Sequence, residues 1–387
     1  MTSEAGKNLL RLTLARACAW SLLVAGWVGI GSFALQLAPS LASGFALVAL
    51  WLFALGAAAT VATRGIHRWT RAVALGVGAA ITALALLATV RGGGLLTLFG
   101  ALLGWSALTA LASGVVRSLR QAQRVPPGAP IAAASIGALV AGFVLGDPGE
   151  LTGLAVRLAL FVAAVAIALL LLQLRITAQP RAGCRAGLFD CSLPAWPAGA
   201  WRDSLQWPTL LAGLAMLPMM AALPLMADWC RAQSFPPQAM VLLHIAAMFG
   251  PVLILRRAIE RWSLHVLATV CASLLAAGAA FALWAPAPID LLGLATTHGA
   301  AWGLAWGGQL WAPARRGQQG ASPLRAAAGY ALLTLAFGLI VEYAGPRGVA
   351  DVHAALGIAA AAAWLVSELT KVFSRSAALR HRAPHDR

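Results

Sequence analysis

Apolar stretches of about twenty residues recur along the whole chain with only short polar interruptions, and no water-soluble core can bury that many of them. A hydrocarbon layer roughly 30 Å thick takes ~20 residues of helix. Inside it the backbone must satisfy its own hydrogen bonds, which leaves helices or closed barrels. Runs this long and continuous select helices. The spans read as 17–37, 44–62, 73–90, 94–115, 129–146 and 152–173, then 207–228, 238–255, 264–284, 291–313, 324–344 and 351–368. With 60% of its 387 residues hydrophobic and 10% charged, the chain is expected to be an all-α integral membrane protein of twelve transmembrane helices.

A formal charge of +16 raises the question of a nucleic-acid partner, which the placement of the basic residues answers. With the N-terminus in the cytoplasm, the inner segments hold Lys7, Arg11 and Arg16; Arg64, Arg68 and Arg71; Arg117, Arg120 and Arg124; and Arg175, Arg181, Arg185 and Arg202. Arg256, Arg257 and Arg261, then Arg315, Arg316 and Arg325, then the C-terminal tail continue the series. Of 28 Lys and Arg, the outer loops hold only Arg91, Arg231 and Arg347, and Arg157 lies within a span. This asymmetry predicts both termini in the cytoplasm, a multi-pass position in a bacterial inner membrane, the lipid bilayer as surroundings and no nucleic acid. The first apolar run is about twice the length of a signal-peptide core, so it reads as a span.

The longest polar stretch, 174–206, divides the chain into six spans and six. The expected units are residues 1–173, a cytoplasmic linker 174–206, residues 207–370 and a basic tail 371–387. Other loops are short, so consecutive helices are expected to be antiparallel neighbours. Cys18, Cys184, Cys191, Cys230 and Cys271 are scattered and form no disulfide framework. Gly293, Gly299, Gly303, Gly307 and Gly308 suit close helix approach, and Trp20, Trp201, Trp207 and Trp229 read as interfacial anchors.

The methionines are the most uneven feature. Apart from Met1, all lie between 216 and 248: Met216, Met219, Met220, Met226, Met240 and Met248. Met216 with Met220, and His244 with Met248, stand at i, i+4, so each pair shares one helix face. If the seventh and eighth spans form a hairpin turning near residue 232, Met216 levels with Met248 and Met220 with His244. Thioethers with imidazole suit Cu(I), whereas Zn favours thiolate or carboxylate partners and Mg or Ca favours oxygen. An imidazole within the bilayer is a functional group by default. Met packing against irregular or varied apolar ligands is the competing explanation.

Two six-helix halves joined by a cytoplasmic loop resemble the major facilitator superfamily, whose substrate site lies between the halves at mid-membrane. Short basic loops follow the second span (Arg64, His67, Arg68, Arg71) and the eighth (Arg256, Arg257, Glu260, Arg261), the first without the family's aspartate. Within that superfamily, Met216-x-x-x-Met220 and His244-x-x-x-Met248 resemble the paired motifs of the CcoA-type copper importers. The resemblance implies copper uptake through these four residues, copper as transported substrate with no resident cofactor, and delivery toward assembly of cbb3-type cytochrome oxidase. Met219, Met226 and Met240 are accessory candidates for an access path, Cys230 for capture at the outer end, and His298 for a donor across the cavity. Cys184 and Cys191 would pass copper to a cytosolic acceptor.

No P-loop and no nucleophile, His and acid set at common depth is present, so no enzyme is expected. The first six spans hold no deep carboxylate, and Glu342 lies near the outer face. A monovalent cation entering a negative-inside cell gains roughly 2.3 kcal/mol per 100 mV, enough to drive uptake without a coupling ion. The alternatives are a transporter of a small organic solute such as a vitamin or drug, and a non-transporting assembly or sensor protein.

Overall fold

A computed structural model describes residues 4–62, 67–121, 129–147, 150–174, 207–285, 289–311, 323–345 and 348–381. The linker with Cys184, Cys191 and Trp201 lies outside the described residues, as do Arg64 and Arg124. Among the described residues the chain is helical throughout: α1 (Glu4–Leu37), α2 (Leu41–Ala62), α3 (Arg68–Ala88), α4 (Gly94–Gln121), α5 (Ala129–Leu145), α6 (Leu151–Leu174), α7 (Trp207–Ala232), α8 (Pro237–Ile254), the four-residue α9 (Arg256–Ile259), α10 (Leu264–Trp284), α11 (Ile289–Trp311), α12 (Pro323–Ala344) and α13 (Gly348–His381). Eight apolar stretches of the described residues are long enough to cross a bilayer, one of which runs through both α3 and α4.

Helix ends follow local chemistry. Pro237 opens α8, where its missing N–H costs nothing, and the Ser263 side chain accepts from the Val266 N–H at the start of α10. Between α3 and α4 a π-helical turn spans Thr89–Gly93, with Gly92 at φ 102° and Gly94 at φ 59°. Residues with a Cβ rarely adopt those angles, so the Gly92–Gly94 run is what lets the chain reverse in so few residues.

The packing plan of the first six helices recurs in the last six long ones. α3 lies against α4 and α6 as α10 lies against α11 and α13, and α2 meets α4 as α8 meets α11. Across the two sets, α2 packs on α12, α5 on α8 and α1 on α7. Contacts this close need small residues. A Cβ on Gly137 of α5 would run into the Ala17 carbonyl of α1.

Three expectations are corrected. Trp20 is no interfacial anchor: it is 4% exposed and meets Phe249 and Trp306 edge-on, because α1 is enclosed by α4, α5 and α7. Trp207 and Trp229 are half-buried at helix ends. Arg71, read as a loop residue, is buried in α3 and donates to the Gly114 carbonyl at 3.1 Å, Ser118 Oγ at 2.7 Å and Gln173 Oε1 at 3.5 Å, tying α3 to α4 and α6. The tail, expected from residue 371, continues α13 as helix to His381.

Arg71→Ala removes charge-assisted bonds from acceptors that stay buried, at a cost of about 3 kcal/mol. Its melting temperature in detergent is expected to fall by several degrees, whereas an Arg71 that merely lined a loop would leave it unchanged.

Candidate metal centre

The seventh long helix is a compromised one. Pro218 and Pro224 lie inside α7 and donate no backbone hydrogen bond, which weakens the helix where the methionines cluster. In α8 the buried residues are Met240, Val241, His244, Ile245, Met248, Phe249 and Val252. Their i, i+4 spacing gives one inward face, and that face meets α11 and α5.

His244 is fully buried on this face. Its Nδ1 lies 2.8 Å from the Ala295 carbonyl of α11, and its Nε2 lies 3.4 Å from Met216 Sδ of α7. A carbonyl oxygen can only accept, so Nδ1 carries the hydrogen and donates it to Ala295. In the neutral ring, Nε2 then presents a bare lone pair to a thioether that also has lone pairs and no hydrogen. Two electron-pair donors face one another, neither with a hydrogen to offer the other. This is also how metal-binding histidines are held, with the second ring nitrogen donating to a carbonyl that fixes tautomer and orientation. Nitrogen and sulfur bound to one tetrahedral ion at ~2.0 and ~2.3 Å stand about 3.5 Å apart. The observed separation fits a shared ion with almost no rearrangement.

The remaining candidates fall in several places. Met248 is buried one turn beyond His244 on the same face. Met219 and Met220 belong to α7, but their side chains lie outside the described residues. Met216 was expected level with Met248; instead it meets His244, a slip of about one turn. The reason is that α7 and α8 are not a tightly paired hairpin: α8 rests mainly on α11 and α5, and α7 on α1, α11 and α13. Met240 is buried. Met226 lines a small apolar cavity with Leu225, Trp229, Leu291, Leu294, Val349 and Ala350. Cys230 is 1% exposed, so in this conformation its thiol is not offered to the outer solution. His298 is buried on α11 and packs against His353 of α13 rather than against Met216.

Among the described residues no three His, Cys, Asp or Glu side chains converge. An ion held here therefore relies on thioether sulfur, which favours a soft monovalent metal over Zn or Mg.

Sequence reasoning missed the Ala295 carbonyl, which no residue pattern marks, and named Gly299 for close helix approach without its place beside the imidazole. A Cβ on Gly299 would stand 3.0 Å from the His244 carbonyl oxygen and 3.3 Å from its Nδ1, so glycine there gives the imidazole its space. It also missed His353, although an imidazole inside the last span was signal enough.

At the end bearing the α7–α8 turn, contacts cross between the two sets of helices. Arg231 of α7 pairs with Asp147, which follows α5, at 2.6 Å and also with Asp228. Glu342 of α12 accepts from the Ala42 N–H at the start of α2, at 2.9 Å. Among the described residues, these contacts tie the two sets of helices together at this end.

No family model and no curated protein matches the sequence. Solved structures do match in shape. A structure of the nucleoside transporter NupG superposes with a TM-score of 0.58 at 17% identity, covering 93% of this chain and 99% of that one. A POT family transporter in complex with a thioalcohol-conjugated peptide gives 0.57 at 11% identity, covering 97% and 98%. The chain shares the overall helical fold of these two transporter structures.

Proposed function

We propose that this protein imports copper as Cu(I) across the bacterial inner membrane by alternating access. The twelve helices move as two six-helix halves, residues 1–173 and 207–370, with both termini in the cytoplasm. The observation that carries the proposal is the facing pair of His244 Nε2 and Met216 Sδ, 3.4 Å apart, with the imidazole oriented by Ala295. The motif resemblance adds Met248 and Met220 as the remaining donors. All four ligands are neutral, so the ion keeps its single charge, and no thiolate holds it too tightly to be released. The contacts of Arg231 and Glu342 close the outer end while the ion leaves inward. No covalent step is involved. The imported copper serves assembly of cbb3-type oxidase, as the motif resemblance implies, through a cytosolic acceptor.

A second reading has its own support. Trp20, Phe249, Trp302 and Trp306 form a buried aromatic cluster where α1, α8 and α11 meet, with Trp302 and Trp306 stacked at 5.7 Å. Walls of this kind suit a flat organic solute. The two readings part on Met216→Leu, which keeps size and apolarity and removes only the sulfur. Radio-copper uptake by cells carrying this variant, normalised to protein in the membrane, is expected to drop at least tenfold from wild type. Equal uptake would favour the organic solute.

A further inference from the structure

One buried pair of titratable side chains has no part in the site above. His298 of α11 and His353 of α13 are each 2% exposed, with ring centres 4.5 Å apart and planes at 68°. Within α13, His353 Nδ1 lies 2.6 Å from the Val349 carbonyl, which fixes the hydrogen on that nitrogen and leaves Nε2 bare in the neutral ring. The Nε2 atoms of both rings are buried without a hydrogen-bond partner among the described residues. Two unsatisfied imidazole nitrogens side by side in a bilayer-spanning bundle are an unusual expense for packing alone, since aliphatic residues would fill the space without unmet lone pairs.

Geometry gives the pair a use. When two imidazoles share one ion at ~2.0 Å with a tetrahedral angle at the metal, their ring centres stand about 5 Å apart, close to the spacing of this pair. The pair also lies close to the first site. His298 lies one turn beyond Ala295, whose carbonyl orients His244. The cavity lined by Met226, Leu294 and Val349 reaches residues one turn from His298 and His353, toward the end bearing the α7–α8 turn.

We propose that His298 and His353 form a second cation station, a two-nitrogen resting place for a copper ion beside the Met216–His244 pair. The inference rests on the copper reading of that pair. Imidazole nitrogens accept copper readily. No third His, Cys, Asp or Glu among the described residues joins them, so the station holds the ion loosely and passes it on to the softer site.

The test is Cu(I) titration of the purified full-length protein in detergent against the chromophoric competitor bicinchoninate, with wild type, His353→Phe, His298→Phe and Met216→Leu. Phenylalanine keeps an aromatic ring against Phe337, which His353 meets edge-on. Wild type is expected to take up two ions, His353→Phe and His298→Phe one, and Met216→Leu the other one. X-ray absorption of the copper retained by Met216→Leu is expected to show nitrogen neighbours without sulfur, a readout that needs no variant of the imidazole pair itself. One ion in wild type, lost in Met216→Leu and kept in both phenylalanine variants, would overturn the second station and leave the copper reading standing. One ion lost only in the phenylalanine variants would overturn the Met216–His244 site instead. No binding by wild type would remove both.

Discussion

His244→Ala is expected to weaken Cu(I) binding by more than about 100-fold and to bring copper uptake down to that of cells without the protein. Changing a residue that only orients a metal ligand costs 10–100-fold in affinity, and here the ligand itself is lost. Competition titration of the purified variant measures the affinity, and radio-copper accumulation measures the uptake. Melting temperature is a separate matter. Removing a buried imidazole also leaves the Ala295 carbonyl without its partner and opens a cavity, so some loss of stability accompanies either role. A histidine serving only as a hydrogen-bonded core residue would lower the melting temperature while the folded fraction bound and carried copper as before. Affinity per folded molecule therefore separates the two roles.

The architecture was legible because the bilayer leaves the chain so little choice. Helix α8 was read as 238–255 and runs Pro237–Ile254, and α10 was read as 264–284 and runs over those residues. Hydrophobicity, however, marks where lipid is, not where a helix ends. The α1 and α13 helices continue well past their apolar windows, to Glu4 and His381, since outside the membrane nothing obliges a helix to stop. Burial was less legible still. Trp20 and Arg71 were assigned by residue type to interface and loop, yet side-chain partners on other helices hold both inside. For the candidate site, sequence spacing placed His244 and Met248 on one face of α8, and both are buried there, whereas the Met220 side chain on α7 lies outside the described residues. The contact between Met216 and His244 depended on how two helices tilt against third parties, which no periodicity within either one encodes. Ala295, which orients the imidazole through its backbone, left no trace in residue identity.

The sharpest test of that helix geometry is Gly303→Ala. A Cβ at this position of α11 would collide with the Met248 carbonyl of α8, with the Val252 side chain also only 3.1 Å away. A backbone atom cannot rotate aside as a side chain can, so α8 and α11 must separate. Overpacking of this kind costs about 3 kcal/mol. The displacement bears directly on function, because the same two helices are joined by the bond from His244 to Ala295, one turn away on α8 and two turns away on α11, and carry Met248 at the collision itself. The variant is expected to melt several degrees lower and, where folded, to bind Cu(I) about tenfold more weakly. Gly329→Ala on α12 is the matched control, since a Cβ there meets nothing within 4 Å. It should leave both measurements unchanged or raise the melting temperature slightly, alanine being the better helix residue by roughly 0.5–1 kcal/mol. If Gly303→Ala lowers the melting temperature and leaves copper affinity at the wild-type value, the register of α8 against α11 does not set the metal geometry, and His244 must be held by α7 instead.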